Sequence, residues 1–175
     1  YGVSVFRSTD NGLTYSLSLY RIPQATMGVT ATALGSGPTA YWDNANTLEV
    51  VLVSGTLESR PALDVLNGFN GALVGDEMIQ FTTAVLIAEN TYRLSGLLRG
   101  RLGTEHKGSA HHVGERFVLL AVPSLGKLSL PSSNWFQSRL FRVGPATLPM
   151  TNALYQEKQF TCQGNMALPL SPCHV

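Results

Sequence analysis

The sequence predicts an all-β fold, a sandwich or barrel, with one short helix and an extended C-terminal strap. Three observations predict it. Apolar residues recur with period two in many short segments, turn residues punctuate those segments, and a single stretch reads as helix.

The first strand is expected over residues 1–7, where Val3 and Val5 alternate. Asn11-Gly12 then marks a hairpin turn. Leu13, Tyr15, Leu17 and Leu19 place one face of the returning strand, which Pro23 ends because proline cannot donate to a ladder. A short strand is expected over 29–34, and a stronger one over 47–53. Ser59 offers an N-cap and Pro61 suits a first helical turn, so a short helix is predicted over 62–66, stopped by Asn67-Gly68. Residues 77–88 and 91–99 form the clearest hairpin, joined at Glu89-Asn90. Ile79, Phe81, Thr83, Val85 and Ile87 share one face of it, and Tyr92, Leu94 and Gly96 share a face of its partner. A glycine-rich corner follows, then a strand over 116–122 and one more within 135–143. The expected organisation is N-terminal strands over 1–40, a main β domain over 41–145, and a strap over 146–175 leading towards a following module.

Composition narrows the function. Of 175 residues, 13% are charged, against a usual share of about 25%. So few charges predict a surface partly covered by neighbours. Net charge is +1 with scattered arginines, which argues against a nucleic-acid partner. No apolar run approaches the roughly 20 residues of a membrane helix. The chain opens at Tyr1 without a leader-like run and is expected to be a segment of something longer. Cys162 and Cys173 read as free thiols, the rival being a small loop disulfide.

Catalytic patterns are not expected. Most acids sit at turns or caps, and only Glu105 and Glu115 flank a segment where two carboxylates could converge. No serine occupies a Gly-x-Ser-x-Gly elbow, and Gly100-Arg101-Leu102-Gly103 lacks the context of a phosphate loop. His106, His111 and His112 lie close in sequence with Arg101, but their spacing fits no metal motif, so a hydrogen-bonded corner with one buried histidine is expected instead. Tyr41 and Trp42, with Trp135, are the candidate carbohydrate platform, set against a reading as aromatic anchors beside a turn. No cofactor and no metal is expected.

The run Arg99-Gly100-Arg101-Leu102-Gly103-Thr104, followed by His111-His112-Val113-Gly114 and the apolar strand from Arg116, carries a likeness. It resembles a recurring element of tailed-phage tail-tip proteins. The wider pattern, with Asn46-Thr47, Leu66-Asn67-Gly68-Phe69-Asn70, Glu77 to Phe81, Thr91 to Leu94 and Ser171-Pro172-Cys173-His174, is similar to the C-terminal region of the large tail-tip protein of gene transfer agents and related siphophages. The likeness covers about residues 28 to 175. It implies a structural role in virion assembly and host adsorption, no catalytic residues here, and a place at the tail tip of a particle assembled in the host cytoplasm. The implied partners are other tail-tip subunits, three copies about the tail axis, and a host receptor or glycan. Arg99, Gly100, Gly103, Thr104, His111 and Gly114 are read as one structural corner: glycines to turn the chain, Thr104 bonding nearby backbone, Arg99 tying several acceptors, and His111 closing the loop.

Overall fold

The computed structural model describes residues 2–21, 24–109, 111–121, 125, 126, 128, 129 and 134–161. It is an all-β protein that divides into two compact units, Tyr1–Gln24 with Ser124–Leu168, and Ala25–Pro123 with Pro169–Val175.

The first unit is a four-stranded antiparallel sheet. Its strands are β1 (Val3–Ser8), β2 (Ser16–Arg21), β9 (Ser138–Pro145) and β10 (Gln156–Thr161), in the order β10-β9-β1-β2. Asn11 and Gly12 both take positive φ at the β1–β2 turn. Ser8 and Asp10 pin that turn: Gly12 donates its N–H to Ser8 Oγ, and Thr14 donates both its N–H and its hydroxyl to Asp10. The expected apolar face of β2 is not buried, and Leu13 and Leu17 are exposed. A bulge breaks the alternation between Leu17 and Leu19, because Leu19 pairs with Val5 but Leu17 pairs with Phe6, leaving Ser18 as the extra residue, and Leu13 lies before the strand begins. β10 lies inside the segment expected to be an extended strap.

Asp10 yields a prediction about this turn. The Thr14 hydroxyl, the Thr14 N–H and Ser8 hold its carboxyl down from 3.8 to about 2. A depressed carboxyl favours the folded turn above its unfolded value and loses that contribution as pH falls from about 4 to about 2. A carboxyl carbon-13 NMR titration should place Asp10 at about 2, well below the ordinary aspartate value of 3.8. Thr14→Ala should return it towards the ordinary value, and no movement would mean that the hydroxyl contact is not formed in solution.

The second unit is a closed antiparallel barrel in the order β3-β4-β7-β6-β5-β8. Its strands are β3 (Met27–Thr30), β4 (Leu48–Ser54), β5 (Gly71–Val74), β6 (Glu77–Ala88), β7 (Thr91–Leu98) and β8 (Arg116–Leu119). β8 closes it by pairing with both β3 and β5. Leu48, Val50, Ala72, Val74, Ile79, Phe81, Leu94, Leu97 and Phe117 are fully buried inside. Each large member contributes roughly 1.5–3 kcal/mol by leaving water.

The long hairpin does not keep one buried face along its length. Ile79 and Phe81 point inward, but Val85 and Ile87 are exposed, and Ala84 packs on the core instead. The switch falls at Gly96, whose φ is +63°. There a Cβ would lie 2.1 Å from Thr82 Oγ1, so only glycine lets the strand bend into the barrel wall. Leu94 and Leu97, three apart, therefore both reach the interior.

The helix α1 (Ala62–Leu66) forms where the sequence places it, but Ser59 is not its cap. Ser59 Oγ instead accepts the Ala84 N–H at 3.0 Å. Pro61 occupies the N-cap without a side-chain bond, and Val65 is the one buried residue of the helix. Gln80 of β6 donates its side-chain amide to the Val65 and Phe69 carbonyls, which fixes the helix end to the barrel.

Candidate functional site

The sharpest chemical feature is a chain of charged side chains buried in the barrel wall. It begins with Glu77, the first residue of β6. Glu77 shares the inward parity of Ile79 and Phe81, so its carboxylate points into the protein and is 0% exposed. Gln80 pairs with Leu98, which sets Arg99 diagonally across from Glu77. Asp43 is held opposite Leu97 by two backbone bonds of 2.8 and 3.0 Å.

Every N–H of the Arg99 guanidinium has an acceptor. Nε donates to Glu77 Oε1 at 3.0 Å and Nη2 to Glu77 Oε2 at 2.8 Å, a bidentate pair. Nη1 donates to the Gly35 carbonyl at 2.8 Å and to Asp43 Oδ2 at 3.3 Å. Nη2 also donates to the Gly108 carbonyl at 3.0 Å. Burial pushes the Asp43 carboxyl up, but bonds from the Asn46 side chain and N–H, the Ala45 N–H and Arg99 outweigh it and hold the group below the usual carboxylate range. A fully buried ion pair of this kind is tolerable only with its remaining hydrogen-bonding capacity filled, as here.

The chain then has to turn. Gly100 adopts the left-handed conformation at φ +59°, and a Cβ there would sit 2.7 Å from the Glu105 Cα. Its N–H donates to Glu77 Oε1 at 2.7 Å. Two short 3-10 turns follow, Arg101–Gly103 and Glu105–Lys107. Gly103 and Gly114 also have positive φ. Thr104 Oγ1 donates to the Arg101 carbonyl at 2.8 Å and accepts the Met78 N–H at 2.9 Å, so it joins the corner to β6. Arg101 donates from Nε to Gln80 Oε1 at 3.0 Å.

His111 completes the set from the far side. Its Nε2 lies 2.6 Å from Glu77 Oε2 and its Nδ1 lies 2.6 Å from Glu115 Oε2. The His111 side chain is 3% exposed, while His112 is 74% exposed and His106 is also on the surface. Thr30 Oγ1 donates to the His112 carbonyl and accepts the Glu115 N–H, both at 3.0 Å. The structure thus brings Arg99, Gly100, Thr104 and His111 into one network. Glu115 reaches one ring nitrogen of His111, whose other ring nitrogen reaches Glu77. Among the described residues, no group of histidine, cysteine and acidic side chains could hold a metal ion.

Sequence reasoning missed Asp43, Glu77, Glu115 and Thr30 as members of this site. The signal for Glu77 was present, since it falls on the inward parity of a strand that begins with it. Asp43 accepts the Ala45 and Asn46 N–H groups at its own turn through one carboxylate oxygen, while its second oxygen faces Arg99.

The aromatic candidates are divided between the two units. Tyr41 is 69% exposed and Trp42 is half-buried beside Asp43, both in the barrel unit. Trp135 belongs to the other unit. An open pocket of about 480 Å³ is lined by Gly75, Asp76, Lys107, His111, His112, Gly114, Glu115 and Arg116, at the edge of the corner.

The family model described as Rcc01698-like, C-terminal matches residues 25–118. The chain belongs to that family. The matched stretch is more than half of the chain and runs from just before β3 into β8, so the Rcc01698-like C-terminal domain is the barrel itself with its corner. No curated protein matches the chain. No helix among the described residues is long and apolar enough to cross a membrane.

Proposed function

We propose that this chain is a structural domain of a phage-type tail-tip or baseplate protein, acting in virion assembly and host adsorption and not as an enzyme. Membership of the Rcc01698-like family across the whole barrel carries the reading, together with the likeness of the Arg99–Gly114 segment to the tail-tip element. The chemistry of the corner supports it. Both ring nitrogens of His111 and every N–H of Arg99 are engaged internally, which leaves no free acid, base or anion clamp among them for a substrate.

The barrel exterior supports a covered surface. Val29 and Val51 are cross-strand partners and both exposed, and Val53 and Val85 are more exposed still. Apolar side chains displayed together on a sheet mark contact with another protein. The occupants we propose are neighbouring tail-tip subunits, with three copies of this chain around the tail axis, in a virion assembled in the host cytoplasm. A map of the intact particle tests this. Three barrels at the tail tip with β3 and β4 against a neighbour are expected. One copy per tail, or barrels free of contact on that face, would refute the arrangement.

A second reading has one observation in its favour, the exposure of Tyr41 next to Trp42. It makes the domain a carbohydrate- or receptor-binding module of the same particle. Glycan-array binding that Tyr41→Ala abolishes would favour it over a purely structural role.

A further inference from the structure

We propose that Arg7 and Arg139 form an anion site on the sheet of the first unit, and that its ligand is a phosphate monoester. The inference does not depend on the assembly role proposed above.

The arginines are scattered in the sequence, but the fold sorts the charges. The unit that holds β1, β2, β9 and β10 has six Lys or Arg residues against two acids, Asp10 and Glu157, a formal charge of +4. The barrel unit carries −3, which leaves the chain at +1. Both acids of the first unit are already engaged. Asp10 accepts bonds from Ser8 and Thr14 in the hairpin turn. Glu157 accepts the Tyr15 hydroxyl at 2.6 Å and Arg142 Nε at 3.1 Å. Among the described residues, Arg142 with Glu157 is the one ion pair of this unit.

Register brings Arg7 and Arg139 together from opposite ends of the chain. Arg7 of β1 lies opposite Phe141 of β9, and Lys158 of β10 lies opposite Phe141 on its other side. Arg139 is two residues from Phe141, so it shares that face and is the diagonal neighbour of Arg7, at a spacing of about 7–8 Å. Glu157 lies opposite Arg142 and therefore belongs to the reverse face.

The chain gives these two guanidiniums too few acceptors. The Nε atoms of Arg7 and Arg139 are both buried, and neither has a hydrogen-bond partner. Arg7 is bonded through its main chain, and among the described residues its guanidinium has no partner. Arg139 Nη2 donates to the side chains of Asn134 and Gln137, which are neutral. Buried donors left unpaired call for an ion or a ligand to explain them. Two like charges side by side also repel, and an anion shared between them removes that cost.

Charge and shape select the anion. A phosphate monoester carries about 1.5–2 negative charges near pH 7 and three strong acceptor oxygens, enough for both guanidinium forks. A carboxylate brings a single charge and suits one fork. Phe160 lies opposite Arg139, is 56% exposed, and meets Phe141 edge to face at 6.4 Å between centroids. It offers an apolar surface for the organic part of an ester. Lys158, exposed on the same face, adds a third cation.

Titration of the whole chain with inorganic phosphate and with phenyl phosphate, followed through the nitrogen-15 signals of the arginine Nε–H groups, tests the site. The Arg7 and Arg139 signals should move together and saturate, with a dissociation constant of about 1 mM or tighter at low salt. Added salt should weaken binding. Arg7→Gln and Arg139→Gln should each weaken it at least about tenfold. Arg60→Gln, which removes an exposed cation of the barrel, should leave it unchanged. Phenyl phosphate should bind more tightly than inorganic phosphate, and Phe160→Ala should erase the difference. No saturable movement of the Arg7 and Arg139 signals up to about 10 mM phosphate would overturn the site, a readout on the parent chain that stands even if neither glutamine variant folds. Acetate bound as tightly as phosphate would overturn the choice of anion, and so would displacement of phosphate by duplex DNA, which would point to a phosphodiester backbone.

Discussion

Arg99→Ala should lower stability by about 3–5 kcal/mol, the usual consequence of removing one partner from a buried ion pair. The substitution would leave Glu77 and Asp43 charged, 0% exposed and without their cation. It would also strip the Gly35 and Gly108 carbonyls of a donor. The melting temperature should fall by roughly 10 °C or more for a domain of this size. Arg99→Lys should recover little, because an ammonium has three donors and cannot span two carboxylates and two carbonyls in the guanidinium plane. Glu77→Leu placed on top of Arg99→Ala should cost less than the sum of the two single changes, since each removes the other's unpaired charge. Added chelator should change nothing. Denaturant unfolding decides the matter: a loss below about 1 kcal/mol for Arg99→Ala would mean that the network is solvated in solution. A chelator-sensitive protein with a neutral Arg99→Ala would point to a metal held by the histidines instead.

What could be read in the sequence, and what could not, follows from the range of the interactions involved. The β6–β7 hairpin was legible to within a residue because its signals are local: alternation along both strands and Asn90 at a positive φ in the turn. The helix over 62–66 was legible for the same reason, although its expected Ser59 cap bonds elsewhere. Barrel closure was not legible. It depends on β8 pairing with β3 and β5, contacts between residues far apart in sequence that no periodicity encodes. β10 was missed because Gln156–Thr161 is exposed throughout and shows no apolar alternation, being held by its backbone pairing to β9. In the corner, the residue types of the turn were readable, and their partners were not. Gly100 and Thr104 announce a turn, whereas nothing within a few residues of Arg99 announces Glu77 or Asp43.

Phe81→Ala should cost about 3–5 kcal/mol, within the range for truncating a buried aromatic and a large part of the 5–15 kcal/mol that holds a typical domain folded. Phe81 is 0% exposed, lies opposite Leu97 across the hairpin, and is a member of the barrel core. Its removal leaves a cavity that the closed wall cannot easily collapse around, because its backbone carbonyl is also tied down by Asn70. The informative control is Val85→Ala, four residues along the same strand. Strict alternation would put Val85 on the same face as Phe81 and make its truncation costly. The bend at Gly96 puts it outside instead, 51% exposed, so the loss should stay within about 0.5 kcal/mol. Paired chemical denaturation of the two variants therefore tests the core and the bend together. Comparable losses at both positions would mean that β6 keeps one face throughout and that the barrel does not turn at Gly96. A small loss at Phe81 would mean that the strand register is wrong.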